Sequence, residues 1–187
     1  MIYTKAIARF HRLLDRFHRR SVDSILEASV TLDVALSDTF GLSRGESDVM
    51  LQRYSRLEGE IADALMRPAT ADATLTSLLF LLIVMRKPQR VIETGVWHGV
   101  SSYVLLSAMK DVGTGRLISI DLPPLNRGAR VEVGNVVPQH LREHWSLRLG
   151  ASDQLLATAI SERSGVDLFI HDSDHSYRNM MMEFRLA

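Results

Sequence analysis

Glu93, Gly95 and Gly99 fall within one stretch, VIETGVWHGVSS (residues 91–102), where a short apolar run meets a carboxylate, two glycines and then Ser101 and Ser102. This is the pattern of a strand, a tight turn and a helix N-terminus. Such a turn brings backbone N–H groups and one carboxylate to the carboxyl edge of a sheet, where open α/β sheets bind ligands. A second acid, Asp121, closes the run RLISID 28 residues later, a placement from which a carboxylate accepts hydrogen bonds from ribose hydroxyls. The glycine pattern is E-x-G-x-x-x-G rather than G-x-G-x-x-G, and a carboxylate beside the turn would repel a pyrophosphate. The two acids suit a nucleoside that carries positive charge, as an amine or a sulfonium. An ordinary strand-to-helix connection and a solvated loop acid are the plainer readings of the same residues.

A third group, HDSDHSY (residues 171–177), gathers two histidines and two aspartates. His175 can titrate near neutral pH and so serve as a general base. Asp172 and Asp174 can instead bind a hard divalent cation such as magnesium, which would acidify a bound hydroxyl. Against both stands a purely structural reading, in which Ser173 or Asp174 caps a final helix and His171 is a satisfied strand-end histidine. Trp97 and His98 either shape the ligand pocket or pack on the helical N-terminal region.

Positioning these residues requires a sheet. The 187 residues are 46% hydrophobic, enough for one sizeable core, and Lys plus Arg balance Asp plus Glu at 22 each, so no global field draws the chain to nucleic acid or acidic lipid. With no cysteine, disulfides, thiolate zinc sites and cysteine nucleophiles are excluded together, and a cytoplasmic setting is expected. The longest apolar run, LLFLLIVM, falls well short of the roughly 18 residues of a membrane span, so no transmembrane segment is expected. Residues 3–20 form a basic amphipathic pattern, read as a helix that packs on the domain or on a second subunit. A second helical region spans 21–39; Ser43 and Glu46 then form a capping box for a helix ending near Arg67, and another apolar helix covers 72–87. After Pro88 strands alternate with helices: 90–94, 116–121, 145–150 and 166–171 read as strands, with helices over 101–110, 138–144 and 152–163 and a last one from about Ser173. This alternation predicts an α/β fold, a mostly parallel sheet with helices on both faces.

Taken together, E-x-G-x-x-x-G-x-S at Glu93–Ser101, Asp121, GASD at Gly150–Asp153 and HDSDHSY resemble the class I S-adenosylmethionine-dependent methyltransferases, most closely their small-molecule O-methyltransferase branch. The resemblance covers about residues 72–187. It implies a Rossmann-like three-layer fold with partial sheet order 3-2-1-4, following a helical region over 1–70. It also implies S-adenosylmethionine as cofactor, with magnesium as a candidate second. Glu93, Gly95 and Gly99 would line the methionine and ribose side, with Ser101 near the helix start. Asp121 would hold the ribose hydroxyls, Ser152 and Asp153 would lie by the adenine, and Asp172 would sit beside the reacting centre with His175. The family's sheet has seven strands and this chain supplies four, which leads to the expectation of a truncated product whose fourth strand, or whose N-terminal helices, could pair with a second copy. The reaction expected is O-methylation of a small hydroxylated acceptor such as a sugar or natural product, without nucleic acid. The competing expectation is a non-catalytic remnant that keeps a nucleoside site or serves as an interaction module.

Overall fold

The computed structural model describes residues 34, 37–38, 40–65, 73–123, 132–162 and 165–187. The basic helix expected over 3–20, most of the helical region over 21–39 and the loop through Pro124 and Gly128 lie outside the described residues. The chain divides into two compact units, Met1–Asp48 and Val49–Ala187. A helix over Arg44–Leu65 (α1) runs across this division.

The capping box forms as read. Ser43 N–H donates to Glu46 Oε2 at 2.8 Å, Glu46 N–H reaches Ser43 Oγ at 3.4 Å, and α1 begins at the next residue after Ser43. Ala73–Arg86 (α2) is apolar nearly all round, with Phe80, Leu81 and Ile83 buried, while Leu75 and Leu78 remain exposed along one flank.

Beyond it come strand Arg90–Thr94 (β1), helix Val100–Val112 (α3) and strand Arg116–Asp121 (β2). A short 3-10 helix over Gln139–His144 precedes strand Trp145–Leu149 (β3), helix Ser152–Ser161 (α4), strand Leu168–His171 (β4) and helix Tyr177–Leu186 (α5). The four strands form one parallel sheet in the order β3-β2-β1-β4, the order expected. β1 sits inside it, with Val91 and Ile92 fully buried. Ile92 and Ile120 pack with Leu156 and Ala159 of α4, so by the two-residue period of a strand Val91 and Glu93 face the opposite side, towards α3.

Two expectations for the C-terminal part are corrected. β4 is shorter than the 166–171 run, starting at Leu168; among the described residues it pairs with β1 alone, and only Ile170 in it is buried. The reason for its later start is Asp167, whose carboxylate accepts the N–H groups of Gln89 and Arg90 at 2.8 and 2.9 Å and ties the strand's foot to the start of β1. The last helix starts at Tyr177, and its cap is Ser176, whose Oγ accepts from Asn179 N–H at 3.3 Å. Asp174 supports that cap by accepting Ser176 N–H at 2.9 Å, and Ser173 is engaged elsewhere.

Candidate active site

At the carboxyl ends of β1, β2 and β4 lies a cavity of about 800 Å³. Its wall is built from the β1–α3 turn, the end of β2, the segment from Gly150 to Asp153 opening α4, and the turn after β4, with Leu75, Thr76 and Leu79 of α2 closing one side. Four aspartates, Asp121, Asp153, Asp172 and Asp174, are in this wall, and no lysine or arginine is among its described residues. Parallel sheets place their strand ends here, and the α3 and α4 N-termini point the same way, so the location follows from the topology.

Glu93 is the expectation that the structure changes most. It lies beneath the cavity instead of in its wall: it is fully buried, and its oxygens accept the hydroxyls of Ser101, Ser102 and Ser119, the last at 2.8 Å. Burial pushes its carboxyl above the ordinary range, the three hydroxyl bonds oppose that rise, and the charge of Asp172 adds to it. Ser119 in turn accepts the indole N–H of Trp145 at 2.8 Å, so a polar chain runs under the turn from β3 to β1.

Gly95 lines the cavity and has φ 86°, and a Cβ there would overlap the Asp172 carbonyl. Gly99 is not in the wall. It opens α3 with φ 90°, where a Cβ would stand 2.8 Å from Gly134 Cα, and so it lets residues 134–137 close against the turn. That packing is fixed by Gly134 N–H to Trp97 C=O at 2.8 Å and Val136 N–H to His98 C=O at 3.1 Å. Trp97 and His98 do belong to the cavity wall. The two rings meet at a tilt of 48° with centroids 4.3 Å apart; Trp97 is 64% exposed, and its backbone is in the left-handed region at φ 49°.

Asp121 stands as read, at the end of β2 in the wall. Its Oδ2 accepts the N–H groups of Val96 and Trp97 at 3.0 and 2.7 Å, and its Oδ1 accepts Leu122 N–H at 2.7 Å, which leaves Oδ1 an acceptor position for a hydroxyl. Ser101, Ser152 and Asp153 line the cavity too, although Ser101 spends its hydroxyl on Glu93.

Asp172 lines the cavity with its carboxyl raised by partial burial, against the lowering influence of His175 and His171. His175 stands outside the wall, its Nε2 3.7 Å from Asp172 Oδ1 on a side chain 65% exposed. Of the two acids expected to hold magnesium, Asp172 and Asp174, both Asp174 oxygens accept from Ser176, and among the described residues no group of three or more metal-ligating side chains comes together.

One functional neighbour escaped the reading of the sequence. Glu183 of α5 is fully buried and bonds His171 Nδ1 at 2.7 Å. Burial alone would raise its carboxyl, but hydrogen bonds from Ser152, Thr94, His171 and Ser173 outweigh that and hold it at about 2. It is therefore ionised, and His171 Nδ1 is the donor. The one available signal was the four-residue spacing from Asn179, which sets the two on one face of α5 beside the HDSDH turn.

This arrangement of sheet, turns and cavity is that of the Rossmann-like methyltransferases. A family model described as a methyltransferase domain matches residues 92–187, and the chain belongs to that family. Among solved structures, a Klebsiella pneumoniae protein assigned as an O-methyltransferase is 18% identical with a TM-score of 0.50, over 72% of this chain and 60% of that one. The O-methyltransferase TomG from Streptomyces achromogenes, solved with S-adenosylmethionine, is 22% identical with a TM-score of 0.48, over 72% and 60%. An O-methyltransferase from Bacillus cereus, solved with the demethylated cofactor, is 17% identical with a TM-score of 0.49, over 86% and 70%. No curated protein matches the chain. The chain thus spans about 60% of the length of the Klebsiella structure.

Proposed function

We propose that this chain binds S-adenosylmethionine in the cavity and transfers its methyl group to a hydroxyl oxygen of a small acceptor. The observation that carries the reading is the wall itself: four aspartates with no lysine or arginine among its described residues, one of them at the end of β2 with a free acceptor position. Such a wall favours a cation and disfavours phosphate or pyrophosphate. The sulfonium supplies an electrophilic methyl; what the protein supplies is placement. Asp121 Oδ1 accepts a ribose hydroxyl. Ser152 and Asp153 sit at the mouth of α4 for the adenine end, and Asp172 faces the charged end. An in-line displacement gains chiefly from holding the acceptor oxygen on the methyl's far side. As the oxygen–carbon bond forms and the carbon–sulfur bond breaks, the hydroxyl proton passes to His175, whose charge Asp172 balances across 3.7 Å.

Calorimetry with S-adenosylmethionine and its demethylated product tests the assignment. Asp121→Ala should weaken binding by about tenfold or more, the scale of a charge-assisted hydrogen bond. Gly95→Arg should abolish it. Equal affinity in the wild type and both variants would sink the assignment.

A further inference from the structure

Glu183 lies on α5, outside the cavity wall, and the proposed methyl transfer makes no use of it. Its carboxylate nevertheless collects donors from both strand ends on this side of the site. Oε2 accepts Thr94 Oγ1–H at 2.6 Å and His171 Nδ1–H at 2.7 Å; Oε1 accepts Ser173 Oγ–H at 2.8 Å and Asn179 Nδ2–H at 3.0 Å. Each donor outside α5 is a wall residue or the neighbour of one: Thr94 precedes Gly95, and His171 and Ser173 flank Asp172. At the centre of this ring two backbones cross in contact. Asp172 N–H donates to Thr94 C=O at 2.8 Å, and the crossing is close enough that only a glycine fits at residue 95.

We propose that Glu183 is a positioning residue of the cofactor site: it clamps the end of β1, where the β1–α3 turn begins, and the turn after β4 to one another, and so sets where Asp172 meets the ligand. The proposal rests on the cavity's being the cofactor site. A carboxylate is the side chain this junction requires, because it accepts on both oxygens and donates on neither. A glutamine in its place would keep one oxygen and turn an amide N–H towards one of the two pairs of donors, the Thr94 and His171 pair or the Ser173 and Asn179 pair. A buried carboxylate is costly unless its bonds are made, and in the interior those bonds are strong and directional. Their cost and their number both argue for a rigid junction. Glu93 bridges a different junction, since its three donors come from α3 and β2 on the opposite face of the sheet.

The test uses the 187-residue chain with Glu183→Gln and the milder Glu183→Asp. Hydrogen exchange should show the amides of residues 172–176 opening about tenfold faster or more, with those of Ile92 and Ile120 unchanged. Unchanged exchange at 172–176 in both variants overturns the clamp, and so does a uniform loss of protection across the sheet. Calorimetry supplies the second arm through a double-mutant cycle with Asp172→Asn. A positioning role predicts that Glu183→Gln weakens S-adenosylmethionine binding in the wild type and adds little once Asp172 is gone; fully additive effects overturn it. If the wild type binds and the Glu183 variants bind as well, the inference fails while the cofactor reading stands. If the exchange result is as expected but the wild type does not bind, the clamp stands and the cofactor reading falls. Should Glu183→Gln not fold, Glu183→Asp carries both arms, since one methylene less removes the reach and leaves the charge.

Discussion

Two buried glutamates, one under each face of the sheet, are held in opposite ways. Glu93 has three hydroxyl donors and a neighbouring negative charge, and burial wins, so its carboxyl is raised. A raised carboxyl favours the protonated form in the folded state. Its stabilisation is therefore complete at low pH and is lost as pH climbs through its folded value. Glu93→Gln should keep the fold and remove that loss: urea unfolding at pH 5 and pH 8 should show a smaller fall in stability for the variant than for the wild type. An equal or larger fall in the variant would contradict the assignment of the raised group. The sequence marked Glu93 as the acid that selects a cation; the structure buries it beneath the cavity, where its protonated form is favoured. What the sequence could not show was the depth, because one of the three serines that hold it, Ser119, is distant in the chain. Ser119 comes opposite Glu93 only through the β1–β2 register, and alternation along a strand says which face a residue takes without saying what covers it.

At the scale of elements, β1 and β2 were legible to the residue because each is an apolar run bounded by a turn and an acid. The ends of the later elements were not. Asp167 reads as part of a strand and instead spends its carboxylate on the backbone of Gln89 and Arg90. In the HDSDHSY turn, four residues of capping type stand within five, Asp172 to Ser176, and Ser176 takes the role because Asp174 accepts its N–H and fixes it. Ser176→Ala should lower stability by about 1 kcal/mol, the usual worth of a serine cap, measured as a shifted urea midpoint with an unchanged slope. The core of the domain should respond more strongly. Leu105 of α3 is fully buried, and Leu105→Ala should cost about 2–5 kcal/mol by the same measurement.

For the molecule as a whole, Glu183 contributes to the acid limb of the stability curve. Its carboxyl is lowered from 4.5 to about 2, so it contributes stability that is fully present above the unfolded value and lost as pH falls through the folded one. Between about pH 5 and 2 the wild type should lose stability faster than Glu183→Gln, which starts lower and has no such group to protonate. Denaturant titrations across that window check the slope, and parallel curves would contradict it. This junction was also the least legible part of the site. Its members are spread from residue 94 to residue 183, and each alone reads as an ordinary polar residue beside a turn. Topology brings them together: the parallel crossovers carry every strand end to one edge, and α5 turns back across it.

The chain's two tryptophans happen to sit at the two levels of that edge. Trp97 is largely exposed at the mouth of the cavity, while the indole N–H of Trp145 is tied through Ser119 to Glu93 below. The molecule therefore carries its own pair of fluorophores. The emission of Trp97 senses the solvent in the cavity, and that of Trp145 senses the protonation of the glutamate beneath it, so occupancy and charge can be read separately once either indole is replaced by phenylalanine.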